Sequence, residues 1–272
     1  MIKVKEKSVI SKRADGKECE DGLFVSDDFI CVVDGVTSKG KWTWDGHTSG
    51  YYAKELVLKA MEKLPADITG EKAVEFLNQA IADGYTPERR EEALHNSDEK
   101  VQANVIIYSA YRNQIWSFGD CQCIINGKIF AHEKKFDIIL SNMRALYLEL
   151  ERICGKTEEE LISHDTGREF ILPILKKESL LENSESEYDI VNLNGFEINT
   201  DKLIKYYLLE GDEVVLASDG YPELKTTLKE SERKLAEILD KDPLCYKDYL
   251  STKGLKEGNA SFDDRTYISF TV

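Results

Sequence analysis

The chain has 272 residues, with 36 Lys and Arg against 51 Asp and Glu, and a formal net charge of −15 at neutral pH. An acidic excess of that size disfavours nucleic acid, whose binding rests on basic residues neutralising phosphates, and an anionic membrane surface. The length is enough to bury the core of one catalytic-size domain, and no composition shift, linker or repeat divides it.

Taken in chain order, residues 2–10 alternate in hydropathy as a strand does, and 22–34 read as a hairpin. Two helices follow. Tyr52, Leu56, Ala60 and Leu64 recur four apart before Pro65, and Val74, Leu77 and Ile81 form a second stripe closed by Gly84. The polar stretch 86–99 reads as an exposed connection. Residues 101–132 read as a meander of three or four strands, with turns at Asn113-Gln114 and Asn126-Gly127. Between His132 and Tyr188 the pattern becomes charged and helical, with Leu146, Leu150, Ile153, Leu161, Ile162 and Phe170 as the apolar faces of packed amphipathic helices. Strands are expected near 188–193, 203–208 and 213–218, then a helix over 228–239 and a terminal strand. That order fits a layered α+β domain.

Four of the apolar runs end on an acid. They are Phe29-Ile-Cys-Val-Val-Asp34-Gly35, Ile115-Trp-Ser-Phe-Gly-Asp120, Val214-Val-Leu-Ala-Ser-Asp219-Gly220, and Asp263-Asp264 leading into the last strand. Asp-Gly is also a common turn signal, and the chain has it at Asp15, Asp21, Asp34, Asp45, Asp83 and Asp219. Any one of these alone is an ordinary turn. Several buried strands ending in carboxylates at one sheet edge would repel unless a cation held them, and Mg²⁺ or Mn²⁺, with their preference for oxygen ligands, supply that counter-charge.

In order and spacing the set resembles the metal-dependent protein phosphatases of type 2C. The residues that carry the resemblance are Glu20-Asp21, Asp34-Gly35, Gly119-Asp120, Ser218-Asp219-Gly220 and Asp263-Asp264-Arg265-Thr266, spanning nearly the whole chain. The resemblance implies a four-layer αββα sandwich of two antiparallel sheets flanked by helices. It implies a single phosphatase-like domain over residues 1–272 with a variable helical or flap insertion at about 133–187. It also implies that Asp34 bridges two ions, that Glu20 and the Gly35 carbonyl hold one of them, and that Asp219 and Asp263 hold the other. Asp120 and Glu223 occupy the places of ligands to a weaker third ion, and Asp34 and Asp219 are the central catalytic positions.

Such a site hydrolyses phosphomonoesters. Two ions about 3.5–4 Å apart lower the pKa of a bridging water, aim it at phosphorus and neutralise the phosphoryl oxygens. No nucleophile motif competes: there is no Cys-x5-Arg loop, Gly-x-Ser-x-Gly elbow or P-loop. The pattern departs from the family where an arginine normally grips the phosphate, four residues before the metal-binding Glu. Gly16 stands there, and Arg13 is the candidate substrate-binding residue in its place. Val36 replaces a histidine or methionine after Asp34-Gly35, which leaves His47 as a candidate proton donor, and Gln102-Ala103-Asn104-Val105 stands where the family has Gly-Ser-Thr-Ala.

The six cysteines, 19, 31, 121, 123, 154 and 245, show no Cys-x2-Cys spacing; Cys121-x-Cys123 has no second cluster to complete a zinc site, and buried free thiols are expected. With no signal peptide and no apolar run near about 18 residues, the reducing cytoplasm is the expected compartment. The reading is a metal-dependent serine/threonine phosphatase acting on phosphorylated protein with two Mg²⁺ or Mn²⁺ ions and a weaker third. A second reading from the same residues is a catalytically weak or inactive relative that serves as a regulatory binding module. A two-metal nuclease, the third, is disfavoured by the −15 charge.

Overall fold

The computed structural model describes residues 2–132 and 134–272. The elements are β1 (Lys3–Ile10), β2 (Asp21–Val25), β3 (Phe29–Val36), α1 (Ser49–Met61), α2 (Gly70–Asp83), α3 (Pro87–His95), β4 (Gln102–Ser109), β5 (Gln114–Phe118), β6 (Gln122–Ile125) and β7 (Lys128–Phe130). They continue with α4 (Lys135–Ile153), α5 (Glu158–Ser163), α6 (Thr166–Leu175), β8 (Ile204–Tyr207), β9 (Glu213–Ala217), α7 (Leu228–Lys241) and β10 (Arg265–Thr271).

Two five-stranded sheets result, one in the order β2-β3-β4-β5-β8 and the other in the order β1-β10-β9-β6-β7. Every pairing within them is antiparallel. The two-residue period of a strand sorts β3 into two cores. Ile30 and Val32 face the opposite sheet and meet Leu216, Ile268 and Phe270. Cys31 and Val33 face the helices and join Val57, Met61, Val74 and Leu77. On the far side, Val215, Ala217 and Tyr267 bury their outer faces with Leu228 at the start of α7. Helices, sheet, sheet and helix make the four layers that the resemblance implies.

Helix starts follow local chemistry. Thr48 and Thr69 cap α1 and α2 by accepting the backbone N–H groups of Tyr51 and Lys72. The stretch 86–99 is not merely a connection: Thr86 caps α3 with Pro87 in its first turn, and only Ala93 is buried, so helical periodicity was absent while the capping signal was present. Residues 188–193 do not form a strand; they make isolated bridges, Ile190 with Glu182 and Leu193 with Ala103. The run 101–132 does hold four strands, but it changes sheet between β5 and β6.

Two helix faces also differ from the spacing. α1 buries Ala53, Val57, Ala60 and Met61, whereas Tyr52 and Leu56 are half-buried, because small residues let the helix lie close on β3. In α4, Leu146, Leu150 and Ile153 face solvent and the inward face is Phe136, Leu140, Ser141, Arg144 and Leu148. Arg144 explains the inversion. Its fully buried guanidinium reaches Asp165 at 2.6 Å and the carbonyls of Cys245 and Ser251 at 3.2 and 3.0 Å. One side chain thereby ties α4 to α6 and to the C-terminal loop.

Replacing Arg144 by Met leaves Asp165 and two carbonyls without their donor. Breaking a buried pair from one side costs about 3–5 kcal/mol. Urea unfolding of Arg144→Met should show a loss of that order; a loss under about 0.5 kcal/mol, the range of surface substitutions, would remove Arg144 from this role.

Candidate metal centre

Asp34 lies near the end of β3, Asp120 in the crossing from β5 to β6, and Asp219 just after β9. Each offers one carboxylate oxygen, and these oxygens lie within 4.8 Å of one another. The approach depends on glycines. A Cβ on Gly35 would fall on the Gly50 carbonyl at the start of α1, and Gly119, at φ +117°, leaves no room for a side chain against Asn104. Asn104 in turn donates to Asp34 Oδ2 at 3.3 Å. Burial, together with the neighbouring carboxylates, pushes both Asp34 and Asp219 well above the usual range.

Glu20 stands in the same cavity but in a different setting. Its carboxylate accepts from Lys12 at 2.8 Å and from Thr48 at 2.6 Å, and Thr37 donates to both oxygens. Burial raises its pKa, but Lys12 and the hydroxyls more than offset that and hold it below the ordinary value. Asp263 is paired with Lys253 and lies 3.7 Å from the Lys12 ammonium; burial opposes its charge, and the two lysines keep it low. Asp264 accepts the backbone N–H groups of Lys12 and Glu20 at 2.7 and 3.0 Å, pinning the loop after β1 to the start of β10. Asp21 accepts the Ser218 hydroxyl at 2.5 Å, and Ser218 Oγ accepts the Thr266 N–H, so one hydroxyl joins the two sheets at this edge.

The acids of this centre face a cavity of about 670 Å³, while Asp21, Ser218 and Asp264 stand behind its lining. Of the residues singled out from the sequence, Glu20, Asp34, Gly35, Asp120, Asp219 and Asp263 line it. Arg13, Glu223 and His47 do not. Arg13 is exposed and paired with Glu18 at 2.7 Å, Glu223 pairs with Lys225 at 2.9 Å, and His47 stacks on Tyr51 at 4.3 Å. Gly16 has φ +70° and is not on the wall, so an arginine there would be strained. The sequence reading missed Lys12, Lys134 and Lys253, each on the wall and each against an acid; Lys134 reaches Asp120 at 2.7 Å. It also missed His132, which lines the cavity and bonds Tyr206 Oη at 2.8 Å. Nothing in the local pattern of those four marks them.

No family model and no curated protein matches the chain. Solved structures do. The photosystem II phosphatase PBCP aligns over 100% of this chain and 99% of its own at 16% identity, with a TM-score of 0.53. The chain has the fold of the type 2C phosphatases. The catalytic domain of the serine/threonine phosphatase PstP, solved with two manganese ions, aligns over 100% and 99% at 16% identity and a TM-score of 0.49. Stp1 from Staphylococcus aureus aligns over 100% and 95% at 15% identity and a TM-score of 0.48.

The donors fit a hard divalent cation. Asp34, Asp120 and Asp219 present only oxygen, and Asp120 Oδ1 is buried without a hydrogen-bond partner among the described residues. Glu20 and Asp263 are in reach of the same cavity, but lysines engage their carboxylates.

The crowding has a measurable sign. A carboxyl raised in the folded state costs nothing below its unfolded pKa of about 3.9 and destabilises progressively as pH rises through the folded value. In chelator, Asp219→Asn should therefore melt higher than the native chain, by a margin that grows as pH rises above about 4. Added Mn²⁺ should raise the native midpoint more than that of the variant. A native chain that melts above Asp219→Asn in chelator across that range would contradict the crowding.

Proposed function

We propose that the chain is a metal-dependent phosphomonoester hydrolase acting on phosphoserine or phosphothreonine of proteins, in the cytoplasm, with Mg²⁺ or Mn²⁺. The observation that carries this reading is the convergence of Asp34, Asp120 and Asp219 in a cavity of about 670 Å³, within a phosphatase fold. A divalent ion held there would polarise the phosphoryl oxygens and lower the pKa of a water beside them. Glu20, Asp263 and the Gly35 carbonyl border the same space, where the resemblance puts the ligands of a second ion.

The chain's own residues do the rest. Asn104 orients Asp34 through one Oδ, leaving its other oxygen free for a cation. Asp264 and the Gly35–Gly50 contact hold Glu20 at the cavity edge by fixing backbone on both sides of it. Lys12 and Lys253 place ammonium groups beside Glu20 and Asp263, charge suited to a phosphoryl dianion. His132 is the one histidine among the described residues that lines the cavity. Burial lowers its pKa and favours the neutral imidazole, a proton acceptor, hydrogen-bonded to Tyr206 Oη. A thiol mechanism has no support in the site, because burial pushes Cys121 far up and Cys123 up to about 12. Among the described residues no helix is long and apolar enough to cross a membrane.

Hydrolysis of an aryl phosphate should require added Mn²⁺ or Mg²⁺ and cease in chelator. Asp34→Asn should lower turnover by at least about a hundredfold, while Cys123→Ala stays within about threefold, since it touches no reacting group. Activity that survives EDTA would falsify the metal mechanism. Loss of turnover in Cys123→Ala at a temperature where the variant is folded would point to a thiol instead.

A further inference from the structure

Among the described residues the cavity is lined by seven carboxylates and six cations, the cations being Lys12, Lys39, Lys134, Arg168, Lys253 and Lys256. They divide cleanly. Lys12, Lys134 and Lys253 are each ion-paired with an acid of the centre. Lys39, Arg168 and Lys256 make no ion pair with any described residue, although the chain as a whole carries 51 acids. Lys39 Nζ donates only to the Thr37 carbonyl, and Arg168 Nη1 only to the Thr252 carbonyl at 2.6 Å. The nearby Asp165 is already committed, one oxygen to the Arg168 backbone N–H that it caps and the other to Arg144.

The three come from separate segments: the loop after β3, helix α6, and the loop before β10. Nothing in the fold requires charge at all three. Burial, with the neighbouring cations, lowers all three pKa values, and the opposing pull of Glu178 on Lys39 and Arg168 and of Asp165 on Arg168 and Lys256 does not offset it. Three cations on the cavity lining, within the field of Glu178 but ion-paired with no carboxylate of a described residue, await an anion from outside. With a divalent ion bound at the aspartates, the cavity would carry a positive excess.

We propose that Lys39, Arg168 and Lys256 form a second anion subsite, distinct from the place where the scissile phosphate is held, that receives an acidic group flanking the phosphorylated residue of the substrate. The proposal rests on the phosphatase reading for what occupies the centre, and it names the substrate class: phosphopeptides with a neighbouring carboxylate or a second phosphate. Both sources share the chemistry of an oxyanion, and Arg168 offers the planar donor set that such a group matches.

The test uses one phosphothreonine peptide in three forms, with a neutral flank, an Asp/Glu flank, or a second phosphoserine. With native protein and Mn²⁺, kcat/KM for the acidic forms should exceed that for the neutral form by about tenfold at low salt and less as salt rises. Comparison of the two acidic forms tells carboxylate from phosphate. In Lys39→Gln/Arg168→Gln/Lys256→Gln the ratio should fall to about one. Lys39→Gln/Lys256→Gln, which removes no hydrogen bond but the one to Thr37, serves if the triple variant does not fold, and should lower the ratio part of the way. Glu178→Gln should raise it, because that carboxylate acts on both Lys39 and Arg168. A ratio near one in the native protein overturns the proposal. So does an equal loss on all three peptides and on an aryl phosphate, which would put these cations at the scissile group. If no form is turned over, anisotropy of the labelled peptides decides independently: tighter binding of the acidic forms that is lost in the variants upholds the subsite, and equal binding refutes it.

Discussion

Three carboxylates whose oxygens lie within 4.8 Å of one another are the constraint around which this molecule is arranged. At an effective dielectric constant of about 20, each ionised pair at that separation repels by roughly 3 kcal/mol. They are only partly exposed, at the lining of the cavity, so water screens them incompletely. The fold answers with opposite charge brought in from far along the chain: Lys134 on Asp120, Lys253 on Asp263, and Lys12 among Glu20, Asp263 and Asp264. Those lysines balance the outer acids and leave Asp34 and Asp219 without an ammonium of their own. That unmet demand is the physical content of a cation site.

The backbone is shaped to permit the crowding. Gly35 against Gly50 lets the start of α1 come down on the end of β3, and Gly220 lies where any Cβ would strike the Asp264 carbonyl. Short side chains then complete the joint. Asp21 and Ser218 link the two sheets through a single hydroxyl, and Asp264 fastens the loop carrying Lys12 and Glu20. Burial and the neighbouring carboxylates push Asp21 well above the ordinary carboxylate range, against the hydrogen bond it accepts from Ser218.

How much of this could be read from the residues depends on range along the chain. Acids at the ends of apolar runs are local, and so Asp34, Asp120 and Asp219 were legible, as were most strands and the two large helices. The partners were not: Lys12 meets Asp264 across 252 positions, and no spacing encodes that. Arg13 looked the better cation because arginine grips phosphate well, yet it points to Glu18 while its neighbour turns inward. In α4 the apolar stripe misled because a buried arginine, paired with Asp165, outweighs the leucines in deciding which face turns in. At 188–193 Ile190 and Leu193 are buried as a strand's residues would be, but they bridge different partners and no ladder forms.

The chain's change of sheet between β5 and β6 has a mechanical meaning. Asp34 belongs to one sheet, Asp219 follows a strand of the other, and Asp120 sits on the crossing itself. The distance between the three carboxylate oxygens is therefore a measure of how the two sheets are seated on each other. A methyl group lost from Ile106 or Ile268, deep between the sheets, would act on the centre by letting the layers slide. Affinity for a divalent ion at the three aspartates would then work as a strain gauge for the sandwich, registering small shifts in the seam that overall stability would average away.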